Sequence, residues 1–233
     1  MKKVLIFIAT VLLNTTISGQ TTEISEQLSS GIFYFGGDYS VKTSVIHSIS
    51  NLDNNYTDNP YGRFSGFSYV IGLKVQRITK SNFIFGLQIS FESLSSKVKI
   101  TNVLTQAVHI SDAKTILTNQ FLSFHPFLGK RIRLINSITS DLTIGTDLGI
   151  DLNISEHETG TIDMSYKYDF IYKNLNKPKS IDIRPRIEFV NYYKRFGLTI
   201  GYSYGLTNYT NKMVTGNQEA FSRMIRFGLS YIF

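Results

Sequence analysis

Arg223-Met-Ile-Arg-Phe-Gly-Leu-Ser-Tyr-Ile-Phe233 closes the chain. Counting back from Phe233, Tyr231, Leu229, Phe227 and Ile225 recur at every second position, with Ser230, Gly228 and Arg226 between them. A period of two puts the two sets on opposite faces of an extended strand. An apolar face backed by small, polar and charged residues suits a strand with lipid on one side and a polar lumen on the other.

Working outward, the same alternation recurs along the 233-residue chain. A strand over 32–43 carries Phe33, Phe35, Tyr39 and Val41 on one face and Tyr34, Gly36, Asp38, Ser40 and Lys42 on the other. A second, over 64–78, turns Phe67, Tyr69, Ile71, Leu73 and Val75 outward and Ser68, Gly72, Lys74 and Gln76 inward. The tight turn 79–82 leads to a third, with Phe83, Phe85, Leu87, Ile89 and Phe91 out and Gly86, Gln88, Ser90 and Glu92 in. Strand four, over 115–132, faces Leu122, Phe124, Pro126 and Leu128 to lipid and Ser123, His125, Gly129 and Arg131 inside; Pro126 costs it a ladder hydrogen bond. Strand five, over 141–154, sets Leu142, Ile144, Leu148, Ile150, Leu152 and Ile154 against Thr143, Gly145, Asp147, Gly149, Asp151 and Asn153. Strand six, over 181–191, sets Ile183, Pro185, Ile187 and Phe189 against Asp182, Arg184, Arg186 and Glu188. Strand seven, over 196–206, turns Leu198, Ile200, Tyr202 and Tyr204 outward.

With the closing strand the count is eight. The connections alternate, with long runs at 44–63, 97–114, 155–180 and 208–220 and short turns between, although Val98, Ile100 and Leu104 in the second suggest strands that continue beyond the membrane. An even count brings both termini to the short-turn side, where the periplasm is expected, and sends the long loops outside the cell. An 11-residue strand rising about 3.3 Å per residue at about 45° climbs about 25 Å, the height of the apolar band such barrels present. Within the third long loop, 164–172 alternates on its own account and is expected to form a hairpin above the membrane.

Composition agrees with a chain that crosses lipid by strands. There are 17 Phe and 14 Tyr but no Trp, 4 Pro and no Cys. Beyond the start of the chain, no segment has the length of about 20 apolar residues that a membrane helix needs. Met1-Lys-Lys followed by the apolar run Val4 to Leu13 and then Thr15-Thr-Ile-Ser-Gly reads as a cleaved export leader over 1–19. A short periplasmic lead over 20–30 and a barrel over 31–233 are expected after it. Removing Lys2 and Lys3 takes the basic count from 24 to 22 against 17 acidic residues, an excess of +5. These charges are scattered and no nucleic-acid motif accompanies them, so no nucleic acid is expected as partner. The lack of cysteine excludes a disulfide framework and thiolate metal sites.

The rival reading is a soluble eight-stranded barrel of the lipocalin type, with its apolar face inside. Against it stands the inward set: Asp38, Lys42, Lys74, Glu92, Arg131, Asp147, Asp151, Arg184, Arg186, Glu188 and Arg226. The faces opposite are nearly all Phe, Leu, Ile and Tyr. An eight-stranded interior is only just wide enough for side chains to fill, so these charges are expected to meet and pair. The expected result is a side-chain-filled lumen; a small passive channel is the alternative. A lipid-modifying enzyme built on Ser123, His125 and Asp147 or Glu188 is a third reading, but no Gly-x-Ser-x-Gly surrounds Ser123, and no enzymatic activity is expected. His47, His109 and His157 fall in three different loops, and Glu156-His-Glu158 is a spacing common in solvated loops, so neither metal nor cofactor is expected. Tyr56, Tyr61, Tyr166, Tyr168, Tyr172 and Tyr209 in the loops suit contact surfaces or an interfacial belt.

The terminal aromatic on a closing strand, the alternating strands and the Leu-x-Phe-x-Pro-x-Leu segment at 122–128 resemble the porin-family outer-membrane β-barrel domain proteins. That resemblance implies an all-β, eight-stranded, antiparallel up-and-down transmembrane barrel in the cell outer membrane. It implies that Ile225, Phe227, Leu229, Tyr231 and Phe233 are read by the barrel-insertion machinery. The surroundings would be outer-membrane lipid and lipopolysaccharide. The task would be structural or surface-binding (adhesion, envelope integrity or a secretion accessory), with an extracellular partner met through 44–63 and 155–180.

Overall fold

Strict alternation of side-chain character commits each segment to one face of a sheet, and the sheet closes on itself. The computed structural model describes residues 20–36, 64–104, 109–135, 137–162, 166–173, 181–209 and 220–233. The export leader, Asp38, Tyr39, Val41, Lys42, His47, Tyr56, Tyr61 and the segment 44–63 lie outside them. Nine strands are described: β1 Thr21–Gly36, β2 Phe64–Ile78, β3 Phe83–Leu104, β4 His109–Ile135, β5 Ile138–Ile162, β6 Tyr166–Lys173, β7 Ile181–Tyr193, β8 Phe196–Asn208 and β9 Phe221–Ile232. Eight form a ring in the order β1-β2-β3-β4-β5-β7-β8-β9, closed by β1 against β9. Every neighbouring pair is antiparallel. The ninth, β6, lies outside the ring and pairs only with the upper end of β5, Ser155 with Lys173 through Ile162 with Tyr166.

One end of the barrel is knitted by tight turns. Lys194 takes the left-handed conformation (φ 56°) in the two-residue turn between Tyr193 and Phe196, and Asn82 takes it (φ 63°) at the end of the three-residue turn 80–82, where its amide donates to the Thr79 carbonyl at 2.9 Å. Thr79 Oγ1 accepts from the Phe83 amide at 3.0 Å, and the Arg131 amide donates to the Asn82 carbonyl at 2.8 Å, tying this turn to β4. The Phe233 amide donates to the Ile24 carbonyl at 3.0 Å, so the start of β1 and the end of β9 share the tight-turn end.

The outer wall is apolar. Leu28, Ile71, Leu73, Ile144, Leu148, Ile187, Leu198, Ile200, Phe227 and Leu229 are all exposed, while the alternate positions Lys74, Gln88, Glu92, His125, Asp147, Arg184, Arg186, Glu188 and Arg226 are almost fully buried. Two aromatic belts bound the wall. Phe83, Tyr193, Phe196, Tyr231 and Phe233 ring the tight-turn end, and Phe67, Tyr69, Phe91, Tyr202, Tyr204 and Tyr34 lie toward the other. A wall that is predominantly hydrocarbon between two belts, around a charged interior, is soluble in a bilayer rather than in water.

Several sequence expectations need correction. The segment 21–30 is not a lead but the first part of β1, which starts at Thr21 rather than at 32 and is described as far as Gly36. Its outward face carries Glu26 and Ser30 among Ile24, Leu28 and Ile32, and this breaks the apolar signal. Phe33 and Phe35, expected to face lipid, are wholly buried in the lumen. The run 97–114, expected as a long loop, is strand over its described residues: β3 continues to Leu104 and β4 begins at His109, paired from Lys97 with Ile116 to Leu104 with His109. His109 and His157 therefore stand on strands. Ile154 turns inward because β5 carries a bulge, with Gln120 opposite Asn153 but Phe121 opposite Asp151. The extra residue inverts the faces above it. Pro126 causes no slip; it points outward where no β4–β5 partner is assigned to 125 or 126, between the pairs Phe124–Leu148 and Phe127–Gly145, and the register is unchanged across the gap.

Above the level of Leu122 and Ile150, β3, β4, β5 and β6 rise beyond the ring as one raised sheet. β4 has 27 residues against 13 for β7, so this sheet stands roughly 30 Å above the shorter wall.

Candidate functional site: a three-layered lumen and a raised aromatic edge

The lumen is filled in three layers, each set by which residue type the inward parity delivers at that height. The floor joins apolar and ionic groups. Ile78, Ile84 and Phe127 pack together. Beside them Arg131 on β4 forms a double fork, with Nη1 and Nη2 at 2.6 and 2.7 Å from the Glu23 carboxylate and Nε and Nη2 at 2.6 and 2.7 Å from Asp141. Gln76 donates to both acids at 2.8 and 3.2 Å. Paired planar forks of this kind are the strongest charge-assisted arrangement available to arginine.

The middle layer is a continuous ionic web. Lys74 Nζ lies 3.2 Å from Glu188 Oε1 and 4.8 Å from the Phe127 ring. Arg186 reaches Asp147 Oδ1 at 3.3 Å and Gln88 Oε1 at 2.5 Å, and its Nε donates to His125 Nε2 at 3.1 Å. An imidazole nitrogen that accepts from a guanidinium carries no proton, so the His125 proton sits on Nδ1, 3.1 Å from Asp147 Oδ1. Arg226 bridges Glu92 at 2.9 Å and Asp147 at 2.8 Å. Arg184 pairs with Glu92, approaches Asp182 at 3.4 Å and donates to Ser123 Oγ at 3.3 Å. Among the described residues, each inward cation meets at least one carboxylate, as charges removed from water require.

The roof is apolar. Phe33, Phe35, Val70, Leu94, Leu117, Phe121, Ile154, Ala220 and Met224 pack around Tyr209. Phe35 meets Phe33 and Tyr209 edge to face, at 5.2 and 4.9 Å between ring centroids. Tyr209, expected on a contact loop, is instead buried here. Arg184 stacks over Phe121 at 5.3 Å, joining the ionic layer to the roof.

Of the residues singled out in the sequence, Lys74, Glu92, Arg131, Asp147, Arg184, Arg186, Glu188 and Arg226 thus converge in the lumen. Asp151 lies on the same strand at the level of Phe121, and Asp38 and Lys42 lie outside the described residues. Glu23 was missed because its segment reads as a polar lead, and Asp141 although it shares the parity of Thr143 and Asp147. Ser123 and His125 are adjacent on one face yet held by different arginines, so no hydroxyl–imidazole pair forms between them. Glu156 and Glu158 alternate with His157, whose Nε2 bonds Asp169 at 2.7 Å. Ile225, Phe227, Leu229 and Tyr231 lie on the outer face of β9, and Phe233, just past its end, is exposed.

Outside the barrel, β6 presents Tyr168, Phe170 and Tyr172 as a ladder of rings, with centroids 5.7 and 6.2 Å apart. Gly160 opposite leaves room for the Tyr168 ring; a Cβ there would meet it at 2.6 Å. Burial and the nearby Glu158 carboxylate push the Tyr168 phenol above its ordinary pKa. Tyr166, Phe170 and Ile171 are exposed.

Closed ring, apolar wall and ionic interior define a transmembrane β-barrel of eight strands. No family model and no curated protein matches the chain. Solved structures do resemble it. Neisserial surface protein A aligns over 93% of this chain and 100% of its own at 9% identity, TM-score 0.38. The attachment invasion locus protein Ail of Yersinia pestis, in complex with sucrose octasulfate, aligns over 93% and 100% at 8% identity, TM-score 0.36. The translocator domain of the autotransporter NalP from Neisseria meningitidis aligns over 100% and 95% at 10% identity, TM-score 0.28. Scores this low carry no weight beside the ring of strands itself.

Proposed function

We propose that the protein is an integral outer-membrane barrel, exported by a cleaved leader, that acts without catalysis as a surface-binding or envelope-structural protein through its raised sheet. The observation that carries this reading is the exposed aromatic edge of β6, lifted well clear of the lipid-facing wall. Exposed apolar side chains beyond the bilayer have no lipid to cover them, and such patches mark contact surfaces. The ion pairs below it support a lumen that braces the barrel.

Replacing 155–180 by a short glycine-containing turn tests the reading in cells. The expected result is a barrel that still shifts on heating before electrophoresis and still protects cells from detergent, while attachment to host cells or matrix is lost. Unchanged attachment with a folded barrel overturns it. An altered lipid profile that His125→Ala restores would assign the protein to lipid chemistry instead.

A further inference from the structure

Arginines 131, 184, 186 and 226 point inward and are neutralised there. Arg223 points the other way. The register pairs Tyr34 with Arg223 and Arg223 with Tyr204, so the three form one row across the outer face of β1, β9 and β8. The guanidinium lies 5.2 Å from the centre of the Tyr204 ring, with Tyr34 beside it in the register of β1. The Tyr34 phenol carries an O–H that can donate to a ligand held by the arginine.

Gly36 shows which way the arginine lies. It sits two residues above Tyr34 on the same face, and a Cβ there would meet Arg223 Nε at 2.5 Å and Cζ at 2.6 Å. The side chain is therefore laid upward into a recess that only glycine leaves open, away from the tight-turn end. Ten residues of β1 separate Ile24, at the base, from Tyr34, a climb of about 23 Å. The row thus stands at the upper edge of the apolar band. Directly beneath it Ile32, Ile225 and Tyr202 form the next row, with Phe227 and Ile200 below them. Among the described residues, no carboxylate pairs with Arg223.

A guanidinium at the edge of hydrocarbon, with a phenol donor at its side, an aromatic face against it and an apolar stripe below, matches an amphiphile with an anionic head and acyl chains. We propose that Arg223, Tyr34 and Tyr204 bind the phosphate monoester of an outer-leaflet glycolipid, whose acyl chain lies along Ile32, Ile225 and Phe227. The assignment rests on the outer-membrane reading above: at the end opposite the termini, the facing leaflet is the outer one. A phosphate monoester, with a third free oxygen and a charge of about −1.5 to −2 at neutral pH, suits a guanidinium with a second donor beside it better than a singly charged phosphodiester does.

The test compares lipid retention by the full barrel in detergent, read by native mass spectrometry, for phosphorylated lipid A, dephosphorylated lipid A and phosphatidylglycerol. Heat-modifiability of each variant reports the barrel independently, so a folding failure is distinguished from a lost site. Wild type should retain phosphorylated lipid A about tenfold better than either Arg223→Gln or the dephosphorylated lipid allows, the size of one charge-assisted interaction. Tyr34→Phe, which leaves the charge and the packing in place, should weaken retention several-fold. Equal retention by folded Arg223→Gln, or by Tyr34→Phe should Arg223→Gln not fold, overturns the site. Equal retention of dephosphorylated lipid A overturns the phosphate, and Arg223-dependent retention of phosphatidylglycerol at the same level overturns the glycolipid.

Discussion

Lys74 on β2 and Glu188 on β7 stand four strands apart in either direction around the ring, and their Nζ and Oε1 lie 3.2 Å apart. Two side chains that meet across the full diameter leave no open bore at that level. Ion pairing here is less a reward for burying charge than the condition for tolerating it: once inward parity has delivered cations and carboxylates to a narrow tube, each must find its opposite.

Removing one carboxylate should therefore cost far more inside than outside. Asp147 serves Arg186, Arg226 and His125 together. Asp147→Ala leaves buried positive charge uncompensated and should lower stability by about 3–5 kcal/mol. His157→Ala breaks only the half-exposed pair with Asp169 and should cost under about 1 kcal/mol. Urea midpoints of the refolded barrel in detergent micelles, compared at equal slope, check the ordering; equal costs would contradict the layered lumen.

Floor, ionic web and roof lie in series. Wild-type protein in a planar bilayer should show no steady conductance, and Arg186→Ala should stay silent too, because Phe33, Phe35 and Met224 still close the roof and Phe127 the floor. Persistent channel openings in the wild type would replace the filled lumen with a pore.

Tyr192 lies across Gly197, where a Cβ would meet its Cε1 at 2.7 Å and Ser230 Oγ at 2.3 Å. Gly197→Ala should cost about 1–3 kcal/mol by overpacking. In the Tyr192→Ala background the same change should cost less, since the ring it strikes is gone. A double-mutant cycle reads the coupling directly; strict additivity would mean that the ring does not rest on the glycine.

The outward faces make a labelling pattern. In reconstituted vesicles an apolar photoprobe should label Leu148, Ile200 and Leu229 and spare Met224 and Phe33, which share strands with outward residues yet point inward. Label on Phe33 would restore the orientation its local sequence suggests.

How far the fold was legible follows from what alternation can carry. In β7, Ile183, Pro185, Ile187 and Phe189 against Asp182, Arg184, Arg186 and Glu188 leave one choice of face, and a period of two read from the residues alone determined it. The same holds for the outward rows of β2, β3, β8 and β9, for the short turns, and for the charged character of the lumen. Alternation names two faces but does not say which is inside when both are mixed. In β1, Glu26 and Ser30 face lipid while Phe33 and Phe35 face the lumen, because β9 and β2 fix the register and the roof supplies apolar company. Likewise Ile154 turns inward only because a bulge opposite Gln120 and Phe121 inserts a residue, an event between two strands that neither records in its own sequence. The pairing of Lys74 with Glu188, or of Arg131 with Glu23 at a sequence distance of 108, is a property of ring closure. Parity along the chain determined which residues could meet, and the register and narrowness of the closed barrel decided which of them do.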